Sequence, residues 1–422
     1  MTAPAAELST ALADLLADPE TAPLNPRTTA EDRQHIAYGP MGIALLHIER
    51  AAAGLAPWQR AHAWLAAAAR QPLTSGVDSH PFYGAPALAQ VLACATDHMP
   101  GSYERALNTL DEQIARDVLR RLTAAHRRLD AGQLPEIAEF DTIRGLSGYG
   151  AYLLRRNPGS AALRTVLSYC VRLAEPIAHN GETLPGWWTL TAPTGRPDTD
   201  RFPDGHANSG MSHGIGGVLA LLALAARHDT LVDGHHDAMR TILAWLDHWQ
   251  EVTGHGTAWP YWVTRAELRD DRLAPSTARR PSWCYGTAGL ARAQQLAALA
   301  VGDSPRRIAA ENALVAALTD TAQLKATTDN GLCHGLAGLA HIAARTAADA
   351  HPSTAGQIQA VIPALLTTIC PPGTDPAAAA PTLANEAGPG FLDGAAGIAL
   401  ALLAPATTML PRTAWDACLL IA

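Results

Sequence analysis

Cys284, Cys333 and His334 stand out by where they fall in the sequence. Cys284 precedes Gly286 by two residues, and Cys333 and His334 precede Gly335 by two and one. His213 directly precedes Gly214, and Asp141 lies four residues ahead of Gly145. Each of these glycines opens the same short pattern: Gly, two residues, Gly, then an apolar run. Two thiolates and an imidazole form a donor set suited to zinc, and three protein ligands leave a fourth position open for a reacting group. No CxxC pair is present, so spacing alone is a weak signal; the shared place in the pattern gives it weight. Two core cysteines and a hydrogen-bonded structural histidine remain an open alternative on the residues alone. His213 and Asp141 add the side-chain types that exchange or steer protons near neutral pH.

Other chemistry-bearing residues have plainer contexts. Cys94, Cys170, Cys370 and Cys418 lie in apolar stretches and are expected to be buried, inert thiols. The Asp233-Gly-His-His-Asp237 run reads as a solvated loop entering a helix, and His255 as a loop histidine. His35, His47 and His341 are expected to be structural. No phosphate-binding Walker loop is present.

The elements that must position these residues are repeats. The glycine pattern recurs seven times, beginning at Gly39, Gly84, Gly145, Gly214, Gly286, Gly335 and Gly394; only the second copy has Ala87 in place of the second glycine. The run after each copy, such as Gly217-Val-Leu-Ala-Leu-Leu-Ala-Leu224, is apolar on nearly all faces, the mark of a buried helix. Between them lie amphipathic helices: around Asp237 to Gln250, Met239, Ile242, Leu243, Leu246 and Trp249 recur at spacings of three and four. Buried and amphipathic helices in alternation predict an all-α protein, an α/α toroid of seven inner and seven outer helices. Equivalent repeat positions then share one rim, so Asp141, His213, Cys284, Cys333 and His334 are expected to converge there. The organisation is one domain over 1–422, with the charged helical stretch at 88–139 as a candidate small insertion.

A hydrophobic share of 48% against 17% charged residues places the chain among globular rather than disordered proteins. The net charge of −8 and pI near 6.1 argue against a nucleic-acid-binding surface. Met1 to Pro26 lacks a basic segment followed by an apolar core, so no signal peptide is indicated. No uninterrupted apolar run is long enough for a transmembrane helix. The expected location is cytoplasmic, with peripheral association at the membrane through a biosynthetic complex as the further expectation.

Trp283-Cys284-Tyr285-Gly286, Cys333-His334-Gly335 and Asn208-x-Gly-x-Ser-His213-Gly214 resemble the signature motifs of the lanthionine synthetase C-like family. Softer matches are Phe140-Asp141 ahead of Gly145, Pro185-Gly-Trp-Trp188, Phe202-Pro-Asp-Gly205 and Trp415-Asp-x-Cys-Leu-Leu420. The resemblance covers nearly the whole chain in order. It departs at Ala288, where the family often has Pro, and at Ser212, where it often has Ala. It implies one Zn2+ held by Cys284, Cys333 and His334, and catalytic roles for His213, Asp141 and Arg280. It further implies substrate contacts from Trp283 and Tyr285.

The implied reaction adds a peptide cysteine thiol across dehydroalanine or dehydrobutyrine, giving a lanthionine or methyllanthionine thioether ring. The expected partner is a dehydrated precursor peptide, with a separate dehydratase and an exporter nearby, since the chain resembles the stand-alone cyclases. A zinc-containing glutathione- or peptide-binding regulatory protein of the same fold is the alternative. A terpene cyclase or prenyltransferase would need Asp-rich metal motifs, which are absent.

Overall fold

Every one of the seven glycines is the N-cap of a helix. Helices start directly after them as Pro40–Ala52, Ala85–Thr96, Leu146–Arg156, Ile215–Arg227, Thr287–Val301, Leu336–Ala348 and Ala395–Thr407. The computed structural model describes residues 3–23, 29, 31–275 and 279–422. These divide into two units: 1–113 with 327–416 and 422, and 114–326 with 417–421.

In the first unit four of the glycine-capped helices are buried and pack in sequence, Leu336–Ala348 on Ala395–Thr407, that helix on Pro40–Ala52, and that one on Ala85–Thr96. Amphipathic helices cover them. Trp58–Ala68 lies on Pro40–Ala52, Ala355–Ile369 on Leu336–Ala348, and both Ala3–Leu15 and Pro376–Ala387 on Ala395–Thr407. The Ser9 hydroxyl, buried in the first of these, donates to the Ala399 carbonyl at 2.7 Å.

In the second unit Ile215–Arg227 packs between Leu146–Arg156 and Thr287–Val301. Their covering helices are Ala161–Leu173, His235–His248 and Ser304–Thr319. Every residue from Ile215 to Ala225 is buried, so this helix gains its stability from packing all round. Truncating Leu221 to Ala there would cost about 3 kcal/mol. The stretch at 88–139 holds the end of one buried helix, the 27-residue helix Glu104–Asp130 and the single turn Ile137–Phe140.

Three small antiparallel sheets, which the helical periodicity did not indicate, all lie in the second unit. Ile177–His179 pairs with Glu182–Leu184, and Glu251–Thr253 with Gly256–Ala258. The third has strand order Trp188–Thr189, His206–Asn208, Trp262–Thr264, with Asn208 opposite Trp262. Its central strand runs straight into the His213 loop.

The second glycine has a steric reason in five of the patterns, at Gly42, Gly217, Gly289, Gly338 and Gly397. A Cβ on Gly397 would lie 1.5 Å from the Phe391 carbonyl oxygen, and one on Gly338 would lie 2.0 Å from that of Leu332. The preceding loop folds tightly over the first helical turn, and only a residue without Cβ admits it.

The chain's last segment is tied down by buried polar groups. The Glu49 carboxylate accepts from the Arg412 and Thr413 backbone N–H groups at 2.8 and 2.9 Å and from the Thr413 hydroxyl at 2.5 Å. Asp416, fully buried, accepts from Arg345 Nε and Nη2 at 2.6 Å each and sits 2.8 Å from His341 Nε2. Burial alone would raise the Asp416 carboxyl, but the Arg345 and His341 charges and hydrogen bonds hold it well below the carboxylate range.

Gly397→Ala should therefore destabilise the protein by about 3 kcal/mol. Gly356→Ala, in the exposed first turn of Ala355–Ile369 where nothing lies within 4 Å, should stabilise it by about 0.5 kcal/mol. Urea denaturation midpoints compare the two. Equal midpoints would mean that the close approach is not what requires glycine.

Candidate metal and proton-transfer site

Each reactive residue sits in a short coil ahead of a buried helix. Two of these coils close where the capping glycine's N–H donates to the carbonyl four residues back, Gly145 to Asp141 at 3.2 Å and Gly335 to Gly331 at 3.1 Å. Successive coils are then laced through their backbones. In the second unit Thr142 N–H donates to the Ser212 carbonyl at 3.0 Å, and Met211 N–H to the Cys284 carbonyl at 3.0 Å. In the first unit Cys333 N–H donates to Leu392 at 2.7 Å, Phe391 to Ala37 at 2.8 Å, and Ile36 to Phe82 at 2.9 Å. Every acceptor stands two residues ahead of its own glycine. This register places His213, one residue before its glycine, beside the Asp141 coil.

His213 Nδ1 lies 2.6 Å from Asp141 Oδ2. The other carboxylate oxygen, Oδ1, accepts from the backbone N–H groups of Arg144 at 2.6 Å and Gly145 at 2.8 Å. Arg144 Nε stands 3.5 Å from Oδ2. Asp141 is fully buried. Burial alone would raise its carboxyl, yet the His213 hydrogen bond and charge, with the Arg144 charge and backbone N–H, hold it below the usual range. An ionised Asp141 takes a proton-bearing Nδ1, which leaves Nε2 of the part-exposed His213 ring for exchange.

Cys284 is buried and Cys333 and His334 are half-buried. Each of the three offers one ligand atom, these atoms lie within 4.8 Å of one another, and the set could hold a metal ion. The His334 surroundings suit that use. Asp329 Oδ2 lies 3.4 Å from its Nε2, and Asp393 Oδ1 lies 3.4 Å from its Nδ1. Each ring nitrogen thus has a carboxylate within ion-pair distance, so one stands beside whichever nitrogen is not the ligand. By contrast, burial pushes the Cys170 thiol up to about 12, and Cys94, Cys370 and Cys418 are likewise buried.

The model of lanthionine synthetase C-like proteins matches residues 32–420. The chain belongs to that family. Nisin biosynthesis protein NisC of Lactococcus lactis subsp. lactis is 24% identical over 206 residues, which is 48% of this chain and 48% of that protein. The chain thus spans about half the length of the curated relative it matches. A solved structure of nisin cyclase shares 19% identity, covers 93% of both chains and superposes with a TM-score of 0.75. That likeness shows the fold, the α/α toroid.

Not every residue that the family resemblance singled out stands at the reacting groups. Trp283 is buried, and its indole N–H donates to the Leu419 carbonyl at 3.0 Å. Its side chain anchors the C-terminal segment. Tyr285 is half-buried, its ring 6.4 Å from that of His213 and its hydroxyl 3.1 Å from Asn208 Nδ2. Arg280 is half-buried, and its guanidinium has no hydrogen-bond or ion-pair partner among the described residues; it lines a cavity of about 260 Å³ with Glu251, Trp259, Gly286 and Asp320. Residues 276–278, within the loop just ahead, lie outside the described residues. No helix among the described residues is long and apolar enough to cross a membrane.

Asp329 and Asp393 were missed, although a signal existed for one of them. Asp393 holds in the seventh repeat the place that His213 and His334 hold in theirs.

Because its folded-state pKa is depressed, Asp141 contributes stability above the ordinary carboxylate pKa. That contribution is lost as pH falls through the folded value. Asp141→Asn should cost about 3 kcal/mol at neutral pH, and the gap to wild type should narrow below about pH 4. Thermal melts across pH measure this. A gap that widens on acidification would contradict an ionised, stabilising Asp141.

Proposed function

We propose that this chain is a lanthionine-forming cyclase acting on dehydrated peptides, with Cys284, Cys333 and His334 as the ligands of one zinc ion. The observation that carries the reading is the convergence of two thiols and an imidazole, in a chain of this family, on a set able to hold a metal. Zinc bound there would favour the thiolate of a substrate cysteine, since two protein thiolates leave the metal electron-rich and a position open.

The chain's own residues account for the proton. Addition of the sulfur to the β-carbon of dehydroalanine or dehydrobutyrine forms the C–S bond and leaves an enolate. The thiol proton leaves and the α-carbon gains one, so the mass is unchanged. His213 delivers that proton from Nε2 while Nδ1–H stays on Asp141. The buried carboxylate stabilises the charged imidazole and fixes its orientation. Arg280, whose guanidinium no described side chain occupies, is available to a substrate carbonyl or to the enolate oxygen. Asn208 holds Tyr285 beside the His213 ring. The dehydratase and exporter that the resemblance implies, and a cytoplasmic setting, belong to this same reading.

His213→Asn should bind zinc as wild type does and lose cyclisation by at least about 100-fold. Cys284→Ala should lose both. Metal content of the purified proteins, with alkylation and mass spectrometry of a dehydrated cysteine-containing peptide, separates the two variants. Loss of zinc in His213→Asn would reassign that histidine as a ligand. A zinc-loaded wild type that binds such peptides without consuming thiol would favour the binding-protein alternative.

A further inference from the structure

The Tyr285 ring begins a strip of half-exposed aromatic side chains that proton transfer does not use. Its centroid lies 5.5 Å from Tyr261 and 5.8 Å from Trp262. At the far end the Arg201 guanidinium stands over the face of Trp262, 4.4 Å from the ring centroid. The three-stranded sheet fixes this arrangement, because Trp262 pairs with Asn208 and Asn208 holds the Tyr285 hydroxyl. Behind the strip, buried Phe202 meets Trp262 edge-on at 5.3 Å.

Arg201 is exposed, and among the described residues no carboxylate pairs with its guanidinium. Only its backbone N–H meets an acid, Asp198 Oδ1 at 3.1 Å. Of the nearby arginines, Arg265 and Arg269 are both engaged by Glu182 and Arg279 by Glu251, while half-buried Arg280 opens onto the cavity lined by Glu251 and Asp320. A guanidinium held against an indole keeps edge donors for a carboxylate, in a fork matched to its two oxygens. The chain's net charge of −8 repels an acidic peptide at a distance, so a local unpaired cation decides where such a peptide could be held.

We propose that Arg201, carried on Trp262, is a specificity residue that binds a carboxylate of the peptide substrate, with the Tyr261–Tyr285 strip taking the residues between. The proposal rests on the cyclase reading for what is turned over, but not for the binding itself. Steps of 6.4, 5.8 and 4.4 Å lead from His213 through Tyr285 and Trp262 to Arg201. They place the carboxylate within about five residues of the reacting residue along an extended peptide.

The test uses zinc-loaded full-length protein and dye-labelled peptides carrying a cysteine, a dehydroalanine and an amidated C-terminus. Glu or Gln is placed at successive positions on either side, and one Gln peptide keeps a free C-terminus. Fluorescence anisotropy reads binding, and alkylation with mass spectrometry reads thiol loss. Wild type should bind its best Glu peptide about fivefold more tightly than the Gln counterpart, and the preference should shrink with added salt. Arg201→Gln should abolish it at an unchanged melting temperature, and Arg201→Lys should keep part of it. A preference confined to the free C-terminus, and lost in Arg201→Gln, identifies the carboxylate as the peptide's own end. No preference at any position, or one that survives in Arg201→Gln, overturns the proposal. Preference without thiol loss would sink the cyclase reading and leave this one standing; thiol loss without preference would do the reverse.

Discussion

One backbone hydrogen bond, repeated from coil to coil, is what the candidate site depends on. It runs from an N–H in one coil to the carbonyl two residues ahead of the next helix's glycine, as in Met211 to Cys284 and Cys333 to Leu392. A backbone bond of this kind is indifferent to side-chain identity. It therefore fixes the height of each coil while leaving its outward residues free to vary. That freedom is used: the residue just ahead of the glycine is His213 in one repeat, His334 in another, Asp393 in a third and Tyr285 in a fourth. The glycines follow from the same constraint. Gly286 has a φ of 125°, and a Cβ there would meet the Arg280 carbonyl oxygen at 2.5 Å.

Three buried carboxylates are each surrounded by donors. Asp141, Asp416 and Glu49 each sit at or near zero exposure, and each takes several hydrogen bonds. A buried carboxylate left short of donors would be protonated or would destabilise the fold. Asp141 differs from the other two in that one of its partners is a part-exposed imidazole, His213. The same device that ties down the C-terminal segment, a saturated buried carboxylate, becomes in the second unit an anchor for a ring able to trade protons.

How much of this the residues disclosed depends on how local the cause is. The seven helices and their starting points were legible because a close backbone approach that leaves no room for a Cβ recurs ahead of them and calls for glycine. The thiols and His334 were legible through that register. The three-stranded sheet was not, since strands of two and three residues carry no periodicity to read. The bond from the Trp283 indole to Leu419 was not legible either, since its partner lies 136 residues off. Asp329 and Asp393 look like ordinary loop acids until the fold brings them to His334.

The first helix packs on the last of the buried ones, and the bond from Ser9 to Ala399 spans 390 residues. Glu49 closes on Thr413 across 364. On a ribosome, Pro40–Ala52 gains Trp58–Ala68 and Ala85–Thr96 early but must wait for nearly the whole remaining chain before its third neighbour, Ala395–Thr407, exists. During that interval Pro40–Ala52 and Ala85–Thr96 present apolar faces to water, and contacts so distant in sequence close slowly because their loop entropy is lost before any packing is gained. The packing of the first unit thus makes it dependent on late closure, and on protection of its first helices until then.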